Sequence, residues 1–354
     1  MSYQQFIGTK PVAEQHAFDT RALATYIRQY VEDFQGNIHV EQFKGGQSNP
    51  TFLVKADSKQ FVLRRKPPGE LLPSAHAVDR EYKVIKALEG TEVPVAKTYT
   101  LCMDRELIGS EFYLMDYIPG RIFWDPALPE CSKDERERMY AEMNRVIAQL
   151  HRLDPTQIGL ADYGRSGGYF ERQVARWTKQ YRASETEHIE AVENLIQWLP
   201  ENIPAGDETR IVHGDYRLDN VIFHPSEPRI LAVLDWELST LGHPLADFAY
   251  HCMPWRRQNI QTRGLLGIDL ETLGIPSEQD YVQQYCQRLG RAPIEPAHWE
   301  YYMVFNMFRL VGILQGVLAR ALKGNASSSV ALEAGRRAKP LAIQAWSLVE
   351  NIKR

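Results

Sequence analysis

The sequence predicts an α+β protein with two lobes, a small strand-rich N-terminal lobe and a larger helical C-terminal lobe. Short strands separated by glycine and Asp-Ser turns occupy residues 38–65, whereas helical periodicity dominates after the Pro-Gly pair at 119–120. A chain of 354 residues is long enough to give both lobes a core. We therefore predict an N-lobe at residues 1–116 and a C-lobe at residues 117–354.

Two periodicities along the chain predict the individual elements. Apolar residues at helical spacing predict helices, and alternating apolar residues next to turn residues predict strands. The predicted N-lobe helices are 18–31 and 75–88, its strands are 38–43, 51–56, 61–65 and 111–117, and the C-lobe helices are 132–153, 168–183, 186–199, 278–290, 296–323 and 328–352.

The composition argues against several classes of protein. The net charge is -4 and no basic stripe stands out, so we do not expect a general nucleic-acid binder. The four cysteines lie far apart and form no CxxC pair, which predicts reduced thiols and neither a zinc site nor a disulfide framework. The first residues lack the pattern of a secretory signal, and we therefore expect a cytoplasmic protein.

One apolar stretch, residues 301–319, is long enough to be compared with a membrane span. It contains Arg309 near its midpoint, and a charged side chain at the bilayer centre costs at least about 2.5 kcal/mol. We therefore predict a helix buried in the C-lobe and no association with a membrane.

Two short segments carry the candidate catalytic residues. The first reads His-Gly-Asp-Tyr-Arg-Leu-Asp-Asn at 213–220, and the second reads Val-Leu-Asp-Trp-Glu at 233–237. Apolar runs beside both segments predict that their polar residues lie at strand ends and turns. Asp215 and Asn220 have the spacing of a catalytic base and a metal ligand, and Asp235 supplies a second oxygen ligand for Mg²⁺. This set is the minimum for phosphoryl transfer from a Mg-bound nucleotide.

The other polar residues of these segments carry no specific catalytic pattern. We expect His213 to be structural, because no serine in a nucleophile elbow accompanies it. Arg217 and Asp219 contact substrate or phosphate, or only each other, and they are assigned no role. Glu237 either assists Asp235 at the metal or lies behind it.

A glycine-containing segment of the N-lobe is predicted to bind the nucleotide phosphates. Gly45, Gly46, Ser48 and Asn49 lie between two predicted strands. Glycine lets backbone amides approach phosphate oxygens, and the Ser and Asn side chains can donate further hydrogen bonds. A plain hairpin turn is the alternative interpretation, and the nearby catalytic motif favours phosphate binding.

The strand at 61–65 is predicted to contact both adenine and phosphate. Alternation places Val62 and Arg64 on one face, where the apolar side chain can pack on adenine and the guanidinium can bind phosphate. Lys66 lies on the same face and is a rival cation, but the following Pro67-Pro68 is expected to turn the chain away.

Two further positions complete the predicted nucleotide site. Glu81 in the helix at 75–88 is the candidate ion-pair partner of Arg64, with Asp79 and Glu89 as alternatives. Met115 and Tyr117 lie where a strand ends at the junction of the lobes, and the backbone there can bind an adenine edge.

These motifs in this order resemble the aminoglycoside phosphotransferase-like family, which has the protein-kinase-like fold. The resemblance extends from Gly45 through the C-terminal helices and is most specific at 213–220 and 234–249. It implies a protein-kinase-like two-lobed fold in which Asp215 is the base and Arg64 and Glu81 are the phosphate-side ion pair. It also implies that Asn220 and Asp235 bind Mg²⁺ and that Asp247 holds the catalytic loop through its backbone.

Three segments, 45–52, 63–69 and 75–81, are most similar to the kinase-like domains joined to certain acyl-CoA dehydrogenases. The dehydrogenase part is not in this sequence, so we expect a free-standing version. The resemblance implies an O-phosphotransferase that uses ATP and Mg²⁺ and acts on a hydroxyl of a small molecule. The subgroup suggests a hydroxyacyl-CoA as the acceptor.

The sequence also helps to choose among acceptors. Only twelve positions lead from Asp235 to Asp247, too few for an activation segment that docks a protein substrate. Residues 251–354 carry thirteen Lys and Arg against eight Asp and Glu, a balance that favours an anionic acceptor over a polycationic aminoglycoside. The candidate contacts, each of which has a structural alternative, are Arg309, Arg172 and Arg176.

Two other functions stay as alternatives. One is a catalytically silent kinase-like module that binds nucleotide or acyl-CoA, and the other is a kinase of aminoglycosides or other antibiotics. The choice between ATP and GTP and the oligomeric state are not determined by the sequence.

Overall fold

The computed structural model of the chain describes residues 7–32, 34, 36–45, 49–57, 59–67, 76–258, 263–323 and 331–352. Within these residues a six-stranded antiparallel sheet lies in the N-terminal region, and helices make up most of the C-terminal region. The predicted α+β fold class, with a strand-rich N-lobe and a helical C-lobe, is therefore confirmed.

The N-lobe elements are β1 (Thr9–Lys10), α1 (Thr20–Ile27), β2 (His39–Phe43), β3 (Thr51–Lys55), β4 (Gln60–Arg65), α2 (Val78–Leu88), β5 (Thr98–Cys102) and β6 (Phe112–Asp116). The strand order of the sheet is β1-β2-β3-β4-β6-β5. The sequence prediction misses β1, which has two residues, and β5. The buried face of β5 consists of Thr98, Thr100 and Cys102, so its apolar alternation is weak.

Alternation along β4 separates the two faces of the sheet. Phe61 and Leu63 pack in the core formed with α1. Val62 belongs to the core shared with α2 and the C-lobe, and it stands opposite Met115 on β6. Arg64 lies on the same face as Val62. The predicted adenine and phosphate contacts therefore share one face of the sheet.

Helix α2 places a carboxylate within its buried stripe. Val78, Glu81, Ile85 and Leu88 are all buried and recur at helical spacing. Three of them are apolar, so the buried Glu81 requires a partner of opposite charge.

The C-lobe helices are α3 (Lys133–Arg152), α4 (Tyr169–Ser184), α5 (Glu190–Glu201), α6 (Pro244–Cys252), α7 (Leu270–Leu273), α8 (Glu278–Leu289), α9 (Pro296–Leu322), α10 (Ala331–Gly335) and α11 (Ala338–Ile352). The predicted helix at 328–352 is wrong in one respect, because a turn at Arg336 and Arg337 divides its described part into α10 and α11. The prediction also misses α6. Every residue of α6 except Tyr250 is buried, so this helix has no polar face to reveal its periodicity.

Helix α9 contains the apolar stretch compared above with a membrane span. By length and composition it is the one helix within the described residues that could cross a membrane. However, 72% of its most apolar window is buried inside the protein. It packs as a core helix of the C-lobe, as predicted.

Two small antiparallel pairs carry the catalytic segments. Strand β7 (Arg210–Val212) pairs with β10 (Thr240–Gly242), and β8 (Val221–Phe223) pairs with β9 (Ile230–Val233). The first catalytic segment connects β7 to β8, and the second connects β9 to β10. The pairing therefore brings the two segments side by side.

Candidate active site

The two catalytic segments are joined by their backbones. The amide of Leu234 donates to the carbonyl oxygen of Asn220 at 2.8 Å. Gly214 has φ +83°, and a Cβ at this position would lie 2.7 Å from the carbonyl oxygen of Leu238. A side chain is therefore excluded where the first segment crosses the second.

Asp247 fixes the start of the first segment. Its carboxylate accepts hydrogen bonds from the amides of His213 at 2.7 Å and Gly214 at 2.8 Å, and His151 Nε2 lies 3.2 Å away. Burial alone would raise the pKa of Asp247, but the hydrogen bond to His151 and the neighbouring histidines and amide hold it below its ordinary value. The buried carboxylate acts through backbone amides, as the family resemblance implied.

The carboxylate of Asp215 is held on both of its oxygens. The Tyr250 hydroxyl donates to Oδ1 at 2.6 Å, and the Asn220 amide nitrogen donates to Oδ2 at 3.0 Å. Arg217 Nε lies 3.2 Å from Oδ1. The side chain of Asp215 is 19% exposed, so part of this oriented carboxylate stays accessible to a substrate.

Asn220 and Asp235 together offer oxygen atoms suited to a metal. Asn220 uses its amide nitrogen on Asp215, which turns its amide oxygen away from that bond. Asp235 has φ +62°, a left-handed conformation that is rare for residues other than glycine and is often found at functional sites. Amide and carboxylate oxygens are ligands that Mg²⁺ prefers. Arg64 Nη2 lies 2.8 Å from Asp235 Oδ1, so this carboxylate already accommodates a positive charge at close range.

Arg64 is the centre of a buried ion-pair cluster. Its Nε lies 2.6 Å from Glu81 Oε2, and its Nη2 lies 3.6 Å from Glu237 Oε2. Burial opposes the charge of the guanidinium, but Glu81 and the other nearby carboxylates outweigh burial and raise the pKa of Arg64. The rival Lys66 instead pairs with Glu111 at 3.3 Å. The structure therefore joins Arg64, not Lys66, to the predicted metal ligand.

Glu81 is positioned by neighbours on both sides. Asn49 Nδ2 donates to Oε1 at 2.7 Å, and the Tyr113 hydroxyl donates to Oε2 at 3.1 Å. Burial raises the pKa of Glu81, and the charge of Arg64 opposes that rise. The side chain of Asn49 thus supports the ion pair, and its contact with phosphate stays a prediction.

The remaining predicted nucleotide contacts lie along the same edge. Gly45 is half-buried just after β2, whereas Gly46 and Ser48 lie outside the described residues. Val62 and Met115 are paired in register and are 8% and 9% exposed. The amide of Tyr117 donates to the carbonyl oxygen of Gln60 at 3.3 Å, so this amide is engaged by the sheet. The binding of adenine here stays a prediction.

Three arginines, Arg309, Arg172 and Arg176, are the candidate acceptor contacts, and a role for them in binding the acceptor stays a prediction. Arg309 donates from Nη2 to the carbonyl oxygen of Gly214 at 2.7 Å, and so supports the catalytic loop. Arg172 donates to a backbone carbonyl, and the guanidinium of Arg176 lies 5.5 Å from the ring centre of Trp177. None of the three lines the cavity that adjoins Asp215.

Sequence reasoning missed Tyr250 and the cavity that it lines. This cavity has a volume of about 470 Å³ and includes Arg217 and Tyr250, both of which contact Asp215. Tyr250 lies about one helical turn after Asp247 on α6. A prediction of this helix would therefore have placed Tyr250 on the same side as Asp247, next to the catalytic loop.

Known proteins similar to this chain identify its family. The profile of the phosphotransferase enzyme family matches residues 39–274. Acyl-CoA dehydrogenase family member 10 of Mus musculus is 46% identical over 342 residues, which are 96% of this chain and 32% of that protein. Acyl-CoA dehydrogenase family member 11 of Rattus norvegicus is 44% identical over 94% of this chain and 44% of its own length. The chain thus spans less than half of these relatives.

Solved structures extend the same comparison. A crystal structure from Ralstonia eutropha JMP134, provisionally assigned as an aminoglycoside phosphotransferase, is 53% identical, covers 95% of this chain and 99% of its own, and has a TM-score of 0.88. Spectinomycin phosphotransferase is 13% identical over 94% of this chain and 99% of its own, with a TM-score of 0.61, and shows a shared fold alone. The profile match covers more than half of the chain, and the chain therefore belongs to the phosphotransferase enzyme family.

Proposed function

We propose that this chain is an ATP-dependent O-phosphotransferase that acts on a hydroxyl of a small anionic molecule, with hydroxyacyl-CoA as the first candidate. One observation carries the proposal: Asp215 contacts two residues that line a cavity, Arg217 and Tyr250, and Asn220 on its own segment and Asp235 on the neighbouring segment lie close by. Family membership supports small-molecule phosphoryl transfer in general. The names of the acyl-CoA dehydrogenase relatives support the choice of acceptor.

In the proposed reaction the acceptor hydroxyl oxygen forms a bond to the γ-phosphorus of ATP. The bond between that phosphorus and the bridging oxygen breaks, and ADP leaves. Asp215, oriented by Tyr250 and Asn220, positions the hydroxyl and accepts its proton.

Other residues of the site manage charge. Asn220 and Asp235 would hold Mg²⁺, which when bound offsets the negative charge of the phosphates. Arg64, held by Glu81, is positioned to bind a phosphate oxygen. Catalysis on this account rests on positioning and electrostatics.

A protein acceptor is disfavoured by the short connection after Asp235. Residues 236–238 form a single 3-10 turn, β10 follows at once, and α6 begins at Pro244. This connection contains no extended segment on which a peptide could dock. A small molecule entering the cavity beside Asp215 is the better candidate.

The test is to measure ATP consumption with hydroxyacyl-CoAs, choline-like alcohols, sugars and aminoglycosides as acceptors. We expect turnover with a hydroxyacyl-CoA and turnover lower by about 10³-fold in an Asp215→Asn variant. Turnover with aminoglycosides alone would contradict the anionic acceptor. Nucleotide binding in a thermal-shift assay, without transfer to any acceptor, would instead favour a silent binding module.

A further inference from the structure

The cavity beside Asp215 has an unusual balance of charge. Four arginines line it, and among its described lining residues Asp219 is the one carboxylate. Asp219 Oδ2 lies 3.0 Å from Arg217 Nη2 and 3.1 Å from Arg263 Nη1, so this carboxylate forms ion pairs with two of the arginines. The cavity therefore carries an excess of positive charge beside the candidate base. The four arginines are Arg217, Arg257, Arg263 and Arg337.

Of the four cavity arginines, Arg257 is the least compensated among the described residues. Among the described residues, no carboxylate lies within ion-pair distance of its guanidinium, whereas Arg337 has Glu333 at 3.6 Å. Burial lowers the pKa of Arg257, and the charges of Arg217, Arg337 and Arg263 lower it further. Burying part of a charged guanidinium among other cations has an unfavourable free energy. A bound anion would offset that free energy.

The backbone of Arg257 is packed closely against the segment that contains Gly264 and Leu266. The carbonyl oxygen of Arg257 accepts a hydrogen bond from the amide of Leu266 at 2.9 Å. A Cβ on Gly264 would lie 1.7 Å from the same oxygen, so the two segments approach too closely for any side chain there. These two contacts therefore hold the backbone of Arg257 in place.

Aromatic side chains form much of the remaining wall. Tyr140 and Trp255 pack edge to face with ring centres 5.5 Å apart, and the guanidinium of Arg263 lies 5.1 Å from the ring centre of Trp124. These rings suit an apolar body, and the arginines suit an anionic group attached to it. A volume of about 470 Å³ lies within the range of small-molecule sites.

We propose that Arg257, with Arg337 and Arg263, forms an anion subsite that recognises a carboxylate or phosphate of the acceptor in the cavity that presents its hydroxyl to Asp215. This inference rests on the proposed function and specifies its substrate class. The acceptor is a molecule with an apolar body, a hydroxyl and an anionic group. A neutral or cationic analogue of this acceptor binds with lower affinity.

The test measures binding of three probes by calorimetry to the full chain, with the nucleotide site saturated by Mg-AMP-PNP. The probes are CoA, which carries phosphates, hexanoate, which carries a carboxylate, and the neutral 1-hexanol. We expect CoA or hexanoate to bind at least tenfold more tightly than 1-hexanol. Binding of CoA alone identifies phosphate as the recognised group, and binding of hexanoate alone identifies the carboxylate.

Matched variants assign the binding to the subsite. We expect Arg257→Gln to lower the affinity for the anionic probe at least tenfold. Arg257→Lys should retain more of that affinity than Arg257→Gln, and Arg138→Gln should leave the affinity unchanged. Arg138 is a suitable control because it is 60% exposed and pairs with Asp134 on the surface of α3. If Arg257→Gln does not fold, Arg337→Gln provides the same measurement. Equal affinity in wild type and these subsite variants, or no preference for either anion, would overturn the subsite.

Different experimental results would reject the anion subsite and the proposed phosphotransferase function. Anion binding that depends on Arg257, without ATP consumption for any acceptor, would retain the subsite and reject the phosphotransferase. Turnover that requires Asp215 but has the same acceptor KM in Arg257→Gln would retain the phosphotransferase and reject the subsite.

Discussion

The two sides of the catalytic loop differ in the sign of their charge. On the nucleotide side, Arg64 lies within ion-pair distance of three described carboxylates, Glu81, Asp235 and Glu237. On the cavity side, four arginines line the wall, and Asp219, the one carboxylate among the described lining residues, pairs with two of them. An excess of carboxylates suits a bound metal cation, whereas an excess of arginines suits an anion. The contrast explains how one loop could serve a Mg-nucleotide and an anionic acceptor.

The largest effect is expected where the two sides meet, at Asp215. Asp215→Asn removes the proton acceptor and keeps the size of the side chain, so turnover should fall about 10³-fold while binding of Mg-ATP is largely retained. Steady-state kinetics and calorimetry measure the two quantities. The matched control is Asp162→Asn, since Asp162 is 78% exposed and pairs with Lys83. Retained turnover in Asp215→Asn would reject the base assignment.

The next largest effect is expected on the nucleotide side. Asp235→Ala removes one metal ligand and leaves Arg64 without one of its partners, so Mg-dependent affinity for ATP should fall on the order of 100-fold. Titration of ATP with and without Mg²⁺ measures the difference, with Asp134→Ala as a surface control. If Asp235→Ala binds Mg-ATP like the wild type, Asp235 is not a metal ligand.

A smaller effect is expected from Tyr250, which contacts Asp215 from the cavity side. Burial, followed by the charge of Asp215, raises the pKa of Tyr250, so its hydroxyl stays a donor. Tyr250→Phe should lower kcat about tenfold, equivalent to ~1.4 kcal/mol, and leave the KM for ATP unchanged. Tyr301→Phe is the control, because that hydroxyl bonds only to the Leu199 carbonyl among its described contacts. A change confined to the KM for ATP would contradict the positioning role.

The smallest effect concerns a histidine that lines the arginine cavity. Burial lowers the pKa of His251 to about 4, so the unfolded chain takes up a proton before the folded chain does. The contribution of His251 to the free energy of unfolding is therefore complete above the ordinary pKa of 6.5. It decreases as the pH falls from 6.5 toward 4. Between about pH 7 and pH 6 the free energy of unfolding should fall by less than about 1 kcal/mol from this group.

Urea denaturation of wild type and His251→Gln at these two pH values measures that loss. His243, whose pKa burial also lowers to about 4, contributes in the same direction to both proteins. The variant should therefore lose less stability than the wild type. An equal loss would show that His251 does not remain neutral in the fold.

Much of the site could be predicted from local pattern. Asp215 and Asn220 lie in one short segment with Asp235 shortly after it, and β8 and β9 between them are a simple antiparallel pair. Strand alternation places Arg64, and helical spacing places Glu81 on the inner face of α2. These residues could be predicted because the periodicity of an element and the spacing of a motif depend only on residues close together in the sequence.

Other residues escaped prediction because their signals are not local. Helix α6 is buried on nearly all sides, so its sequence shows no amphipathic pattern and Tyr250 could not be placed. For Arg309 the sequence offered an acceptor contact or a buried ion pair, whereas the structure shows a hydrogen bond to a backbone carbonyl of the catalytic loop. Hydrogen bonds to backbone atoms leave no pairing signal in a sequence.

The sequence by itself determined the α+β class, the catalytic motif and the positive balance of residues 251–354. Only the tertiary structure decided where that charge acts. Arg217, Arg257 and Arg337 belong to segments far apart in the chain, and the packing of the C-lobe brings them to one cavity. Periodicity records which face of its own element a residue occupies. It does not record which distant element will face it, because that depends on how the whole core packs.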